Sequence, residues 1–250
     1  MTGVRYAIFF VPPRDSPLYK FGSSALGYDS YSGTEIPFFS GDGFPDWREL
    51  TAEPRRYGFH ATLKAPFQLQ NEFFEGDLIA QFLQFANCHA PPARFAATIR
   101  LFDGFAAVVP SVPVPALNIL AASCVRDFDR FRSPMTAAER ARRLAQPLTA
   151  RQMIHLDSWG YPYVLDDFRF HMTLTGRLPP HLAIQGLKFL HRALKRQPVP
   201  CDVAVDAIAL LRQNGPDTAF RVVHSARLGD RIDPPSCAAS RQRGAEATIG

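Results

Sequence analysis

Two short motifs of the same form carry the residues best suited to chemistry. Each has a histidine followed two positions later by a threonine: His60 and Thr62 in FHATL, His171 and Thr173 in FHMTL. A neutral imidazole accepts a proton and an imidazolium donates one near neutral pH, so a pair can divide the general-base and general-acid roles. Threonine hydroxyls can hold the non-bridging oxygens of a phosphate. These residue types therefore predict proton transfer on a phosphate ester, without a metal or a cofactor.

The elements that must position these residues are two strands, here called the motif strands. Both motifs lie where apolar and polar residues alternate, which is typical of a strand with one buried face. Residues i and i+2 of a strand point the same way, about 7 Å apart, so a histidine and its threonine would converge on one ligand. The alternation also predicts that Lys64 shares a face with His60 and Thr62. Two motif strands that face each other would bring two imidazoles and two hydroxyls together.

Four further residues near the motifs are predicted as additional members of the site. Lys64 and Arg177 follow the motifs closely and could neutralise phosphate charge. Arg56 and Tyr57 precede the first motif and could reach the site from a loop. The alternative interpretation for Lys64 and Arg177 is that each is an ordinary solvated charge near a strand end.

The same residues allow two alternatives to a two-histidine catalytic site. A metal could be held by the two motif histidines with Asp166 or Asp167, but the sequence has no close His pair to anchor it. Alternatively, the cleft could bind a phosphorylated nucleotide or an RNA end without cleaving it. Two imidazoles favour the enzyme, because arginine forks hold phosphate bidentately and would serve binding better.

The rest of the chain predicts a repeated organisation of α+β type. A motif strand, a helix and a pair of strands occur in that order twice, and Asp103-Gly104 is a strong hairpin signal between the strands of the first pair. The segment 13–57 is rich in Gly, Pro and aromatic residues and predicts an ordered excursion that could cover a site. Two helices are predicted between the halves, the second beginning with a capping box at Thr136 and Glu139.

The composition says more about where the protein is located than about the reaction that it catalyses. The chain has 250 residues, 46% of them hydrophobic, four scattered cysteines and a net charge of +5. No apolar run is long enough to cross a bilayer, and the cysteine spacing predicts reduced thiols in a cytoplasmic protein without a signal peptide. An arginine-rich stretch over 126–151 is interpreted as a solvated helix face, with a nucleic-acid patch as the less favoured alternative.

The fuller strings around the motifs resemble a known family. RRYGFHATLKAPF and WGYPYVLDDFRFHMTLTGRL are similar to the two-histidine (2H) phosphoesterase superfamily, in the branch associated with bacterial phosphonate-metabolism operons, and the resemblance extends to about Leu228. It implies a bilobal α+β fold with two pseudo-symmetric lobes, each an antiparallel sheet with flanking helices, around a central cleft. It also implies His60 and His171 as general acid and base, with their roles left open, and Thr62 and Thr173 as phosphate ligands.

The resemblance also implies an activity and an organisation of the chain. The expected enzyme is a metal-independent cyclic phosphodiesterase acting on a cyclic nucleotide or cyclic ribose phosphate in phosphonate catabolism. Its expected partners are small nucleotide or sugar phosphates, with an RNA end as an alternative. The sequence itself indicates neither a membrane nor an obligate protein partner. One bilobal domain is predicted over 1–228, with lobe one at about 1–112, connecting helices at about 113–150 and lobe two at about 151–228. Residues 229–250 are predicted to form a flexible tail.

Overall fold

The computed structural model describes residues 3–39, 44–197, 199 and 202–229. Within these ranges, helices pack around one large antiparallel sheet. The strands are β1 Arg5–Phe10, β2 Tyr28–Asp29, β3 Thr34–Glu35, β4 Ala61–Phe67, β5 Phe95–Phe102, β6 Phe105–Pro110, β7 Met172–Thr173, β8 Asp202–Val203, β9 Ala207–Gln213 and β10 Arg221–Arg227. The helices are α1 Pro17–Leu26, α2 Trp47–Leu50, α3 Ala52–Arg55, α4 Glu75–Cys88, α5 Pro115–Phe128, α6 Ala137–Leu144, α7 Ala150–Trp159 and α8 Pro180–Lys195.

The sheet has eight strands in the order β10-β9-β1-β4-β7-β6-β5-β8, and each neighbouring pair is antiparallel. The motif strands β4 and β7 are therefore central neighbours. The hairpin β5–β6 follows β4 in the chain but pairs with β7, whereas β9–β10 follows β7 but pairs with β1. The predicted α+β class with an antiparallel sheet and flanking helices is confirmed.

This exchange of hairpins means that each half of the sheet contains strands from both ends of the chain. Segments 1–112 and 151–228 each contribute to both halves, and they join through the pairing of β4 with β7. The division of the chain into lobes along the sequence stays a prediction. Of the predicted tail, residues 230–250 lie outside the described residues.

The predicted local signals are present where the sequence placed them. Asp103 and Gly104 have φ of 47° and 84°, the left-handed pair of a tight hairpin whose twist suits the flanking strands. Thr136 and Glu139 form the predicted capping box at the start of α6. Within 13–57 the ordered excursion contains α1, β2, β3, α2 and α3.

One predicted placement is wrong, and a β-bulge explains why. Phe9 of β1 is opposite Thr62, but its neighbour Ile8 is opposite Lys64, so the pairing skips Leu63. Ile8 and Phe9 point to opposite faces, and antiparallel partners share a face, so Lys64 points away from Thr62. Lys64 is buried, and its ammonium lies 2.7 Å from the Asp129 carboxylate.

The cysteines also differ in part from the prediction. Cys124 is a buried free thiol, whereas Cys88 is disulfide-bonded, so the expectation of reduced thiols is wrong for Cys88. None of the helices in the described ranges has both the length and the apolar character that a membrane crossing needs.

Candidate active site

The two motifs meet around one residue pair, in which Ala61 of β4 lies opposite Met172 of β7. In an antiparallel pair the flanking residues also oppose each other, so His60 is across from Thr173, and Thr62 is across from His171. Ala61 and Met172 are fully buried in the core. Their neighbours in each strand point to the opposite face, so both histidines and both threonines share that face.

Backbone carbonyls fix the same tautomer in both histidines. His60 Nδ1 lies 2.8 Å from the Gly58 carbonyl oxygen, and His171 Nδ1 lies 2.7 Å from the Arg169 carbonyl oxygen. A carbonyl oxygen only accepts, so each Nδ1 carries the hydrogen and donates it. Each Nε2 is then the atom free to accept or donate the reacting proton. His60 Nε2 lies 3.1 Å from the Thr62 hydroxyl.

Each histidine also stacks on a phenylalanine that the sequence analysis missed. The rings of Phe9 and His60 are 3.8 Å apart between centroids and inclined by 22°. Those of Phe102 and His171 are 4.9 Å apart and inclined by 19°. The stacking restrains both imidazoles in the same way on the two sides of the site. The sequence contained one signal for these two residues, which is their position in predicted strands. Phe9 lies in the first predicted strand, and Phe102 directly precedes the Asp103-Gly104 turn.

Burial changes the proton affinity of both imidazoles. It lowers the pKa of His60 to about 4, the Gly58 carbonyl raises it in part, and the charge of His171 lowers it further. Burial also lowers the pKa of His171, with a partial opposing effect of the Arg169 carbonyl. The register of β4 and β7 places the two imidazoles diagonally across adjacent strands, where the charge of one disfavours the charge of the other. At neutral pH both are mainly uncharged, so each Nε2 presents a lone pair.

The four additional predicted residues are placed differently from one another. Tyr57 is near the site, with its ring 6.1 Å from that of His60. Arg56, the residue before Tyr57, donates a hydrogen bond to the Pro216 carbonyl. Arg177 is exposed and lies 3.5 Å from Asp103 at the β5–β6 turn. Lys64 is not brought to the site, because its side chain is on the other face of β4.

The alternative metal site gains no support from the acids proposed for it. The Asp167 carboxylate forms a bidentate pair with Arg151 at 2.8 and 2.9 Å, and Asp166 is exposed. Among the described residues, no group of three or more His, Cys, Asp or Glu side chains is arranged to hold a metal ion.

The antiparallel α+β fold sets the two His-x-Thr strands side by side, as expected from the sequence resemblance to the two-histidine phosphoesterases. The chain belongs to the family described as "Protein of unknown function (DUF1045)", whose model matches residues 62–221, more than half of the chain.

Two curated proteins are similar to the chain, and both are named ribose 1,5-bisphosphate phosphokinase PhnN. The protein of Janthinobacterium sp. (strain Marseille) is 37% identical over 223 residues, which cover 86% of this chain and 49% of that protein. The protein of Laribacter hongkongensis (strain HLHK9) is 33% identical over 175 residues, which cover 70% of this chain and 40% of that protein. The chain thus spans about half the length of the curated relatives it matches, or less.

Two solved structures match this chain over most of its length at low similarity. One is titled "Crystal structure of phosphoesterase" and matches with a TM-score of 0.41 and 13% identity, over 90% of this chain and 98% of that one. The other is E. coli LigT complexed with NADP+, with a TM-score of 0.44 and 13% identity, over 91% of this chain and 99% of that one. Similarity at this level says nothing about what the chain acts on.

Proposed function

We propose that the chain is a metal-independent phosphoesterase that hydrolyses a cyclic phosphate by paired-histidine general acid–base catalysis. The observation that carries the proposal is the pairing of Ala61 with Met172, which puts His60 and His171 on one face. In both imidazoles Nδ1 is held by a carbonyl, which leaves Nε2 free to transfer a proton. The Thr62 hydroxyl lies 3.1 Å from His60 Nε2, and Thr173 lies on the same face, which suits a phosphate with two non-bridging oxygens.

The proposed reaction uses one histidine on each side of the phosphorus. His60, whose pKa is lowered to about 4, is neutral, and its Nε2 takes a proton from the attacking water. A P–O bond forms to that water, and the bond to one ring oxygen of the cyclic phosphate breaks. Protonated His171 gives its Nε2 proton to that leaving oxygen, and the product is a phosphate monoester. Thr62 and Thr173 donate hydrogen bonds to the non-bridging oxygens during the step.

The proposed substrates are cyclic nucleotides and cyclic ribose phosphates. The curated relatives carry the name of a ribose bisphosphate kinase, which supports a phosphorylated ribose as the kind of molecule involved. The sequence resemblance adds phosphonate catabolism as the proposed setting, and the cytoplasm is the proposed location. Stacking residues beside both histidines, Phe9 and Phe102, would exclude water from the back of each imidazole.

The test is turnover of 2′,3′-cyclic nucleotides and cyclic ribose phosphates by chelator-treated protein. We expect hydrolysis to survive the chelator, and His60→Ala and His171→Ala each to lower kcat by about 100-fold or more. His181→Ala is the matched control, because His181 is exposed at the start of α8, and it should keep full activity.

Two results would contradict the proposal. Activity that is lost with the chelator and restored by a divalent ion would identify a metalloenzyme. Folded protein that hydrolyses none of the esters but binds them would instead favour a module that recognises phosphorylated nucleotides or RNA ends.

A further inference from the structure

A cavity of about 500 Å³ lies beside the two-histidine site and is not used by the proposed reaction. Its walls come from the start of β1, the loop before the first motif, α6, and the loop after α7. Four guanidinium groups line it: Arg5, Arg56, Arg142 and Arg143. Its volume is in the range of small-molecule sites in proteins.

The cavity is within reach of a ligand held at the histidines. Tyr57 lines the cavity, and its ring is 6.1 Å from the His60 ring. Arg5 points to the same face of β1 as Phe9, which stacks on His60, and the four-residue interval between them spans about 13 Å. One small molecule could therefore place one group at the histidines and another in the cavity.

The charge of the cavity suits an anion. In the described ranges, none of the four arginines has a carboxylate within 4 Å, although Glu53, Glu139 and Asp217 also line the walls. The Glu139 carboxylate is already engaged by the backbone N–H of Thr136, at 2.9 Å. Four cations thus face three acids, one of which caps a helix.

Helix α6, which supplies two of these arginines, is not held in place by a hydrophobic core. None of its residues is buried. It is held by its capping box, by the bidentate pair of Arg140 with Asp157, and by Arg143, whose guanidinium lies 5.2 Å from the centre of the Tyr161 ring. The sequence interpretation of this stretch as a solvated face accounts for Arg140, but not for the two arginines that face the cavity.

We propose that this cavity binds a terminal phosphate monoester of the substrate whose cyclic phosphate lies between His60 and His171. The inference rests on the proposed function and names its substrate class: a cyclic ribose phosphate or cyclic nucleotide with a second phosphate on the sugar. A guanidinium group binds a phosphate dianion through two parallel hydrogen bonds and stays charged at all relevant pH. Arg142 and Arg143 are the residues that bind the phosphate in this way.

The test compares two ligands that differ in one group: adenosine 2′,3′-cyclic phosphate with and without a 5′-phosphate. We expect wild-type protein to prefer the 5′-phosphorylated ligand by about tenfold or more in kcat/KM, mainly through KM. The double variant Arg142→Gln/Arg143→Gln should reduce that preference, taken as the ratio of the two kcat/KM values in the same protein, to about twofold or less. Arg126→Gln is the matched control, because Arg126 is exposed on α5 and does not line the cavity, and it should keep the preference.

Calorimetric binding of both ligands to the His60→Ala protein separates this inference from the proposed function. If neither ligand is hydrolysed by wild-type protein, yet the 5′-phosphate still strengthens binding and the double variant removes that gain, only the hydrolysis is wrong. Equal affinity for the two ligands, or a preference that persists in the double variant, overturns the assignment of the cavity.

Discussion

Ala61 lies directly opposite Met172, and this pair joins the two motif strands at the centre of the sheet. Both side chains are fully buried, so the residues on either side of them face away from the core. A slip of one residue in this pairing would turn one motif toward the core, because the side-chain period of a strand is two. The two-histidine site therefore depends on a register that burial of two apolar residues enforces.

The pH dependence should place the best activity on the acidic side of neutrality. As the base, His60 must be neutral, so kcat/KM should fall as pH drops through its pKa of about 4. As the acid, His171 must be protonated, so kcat/KM should fall as pH rises through its pKa, which burial lowers below the ordinary value near 6.5. A kcat/KM profile from about pH 3 to pH 8 measures both limbs. A profile that rises to a plateau at alkaline pH would exclude these roles.

The threonine hydroxyls should contribute to turnover and little to stability. Thr62→Val and Thr173→Val keep the shape of each side chain but remove a donor to the phosphate. Each should lower kcat/KM by about 10–100-fold, the value of a hydrogen bond to a charged group. Thr62→Ser and Thr173→Ser retain the hydroxyl and should recover most of the rate. Equal losses for Val and Ser would point to packing instead.

Lys64 should matter for stability and not for catalysis. Its side chain is 3% exposed, and its ammonium contacts the Asp129 carboxylate at 2.7 Å and the Val125 carbonyl at 3.2 Å. Asp129→Ala leaves this charge buried without its acid and should lower the free energy of unfolding by about 3–5 kcal/mol, measured by urea denaturation. Lys64→Met should cost less, because Asp129 keeps Arg132 at 2.8 Å.

Turnover is the second measurement on this pair. Because Lys64 is on the opposite face of β4 from Thr62, the folded Lys64→Met protein should hydrolyse substrate at the wild-type rate. A large fall in kcat of the Lys64→Met protein without a fall in its stability would mean that Lys64 takes part in catalysis.

Replacing Gly22 in α1 by alanine should lower the stability of the fold, whereas the same replacement at an ordinary helix position raises it. A Cβ on Gly22 would overlap the ring of Phe59, the residue before His60. Gly22→Ala should therefore destabilise the fold by about 1–3 kcal/mol and lower turnover by displacing His60. Gly76→Ala in α4 is the matched control, because nothing lies within 4 Å of its added Cβ. The control should be neutral or stabilising by up to about 1 kcal/mol, so equal effects in thermal unfolding would contradict the packing argument.

Local structure and the core of the site could be predicted from the sequence alone. The left-handed Asp103-Gly104 turn and the Thr136 cap depend on hydrogen bonds within a few residues, so a short window of sequence contains their cause. The same holds for the alternation that puts each histidine on the face of its threonine. That His60 and His171 belong to one site could be predicted only because the two motifs have the same form.

Tertiary structure decided everything that depends on partners distant in the chain. It exchanged the two hairpins between the halves of the sheet, skipped Leu63 so that Lys64 turned to Asp129, and brought Arg142 and Arg143 to a cavity beside His60. Strand order and bulges follow from which apolar surfaces bury each other, and no local pattern contains that choice. Residue types and spacing determined the chemistry, and long-range burial decided which of the charged residues lie near the histidines.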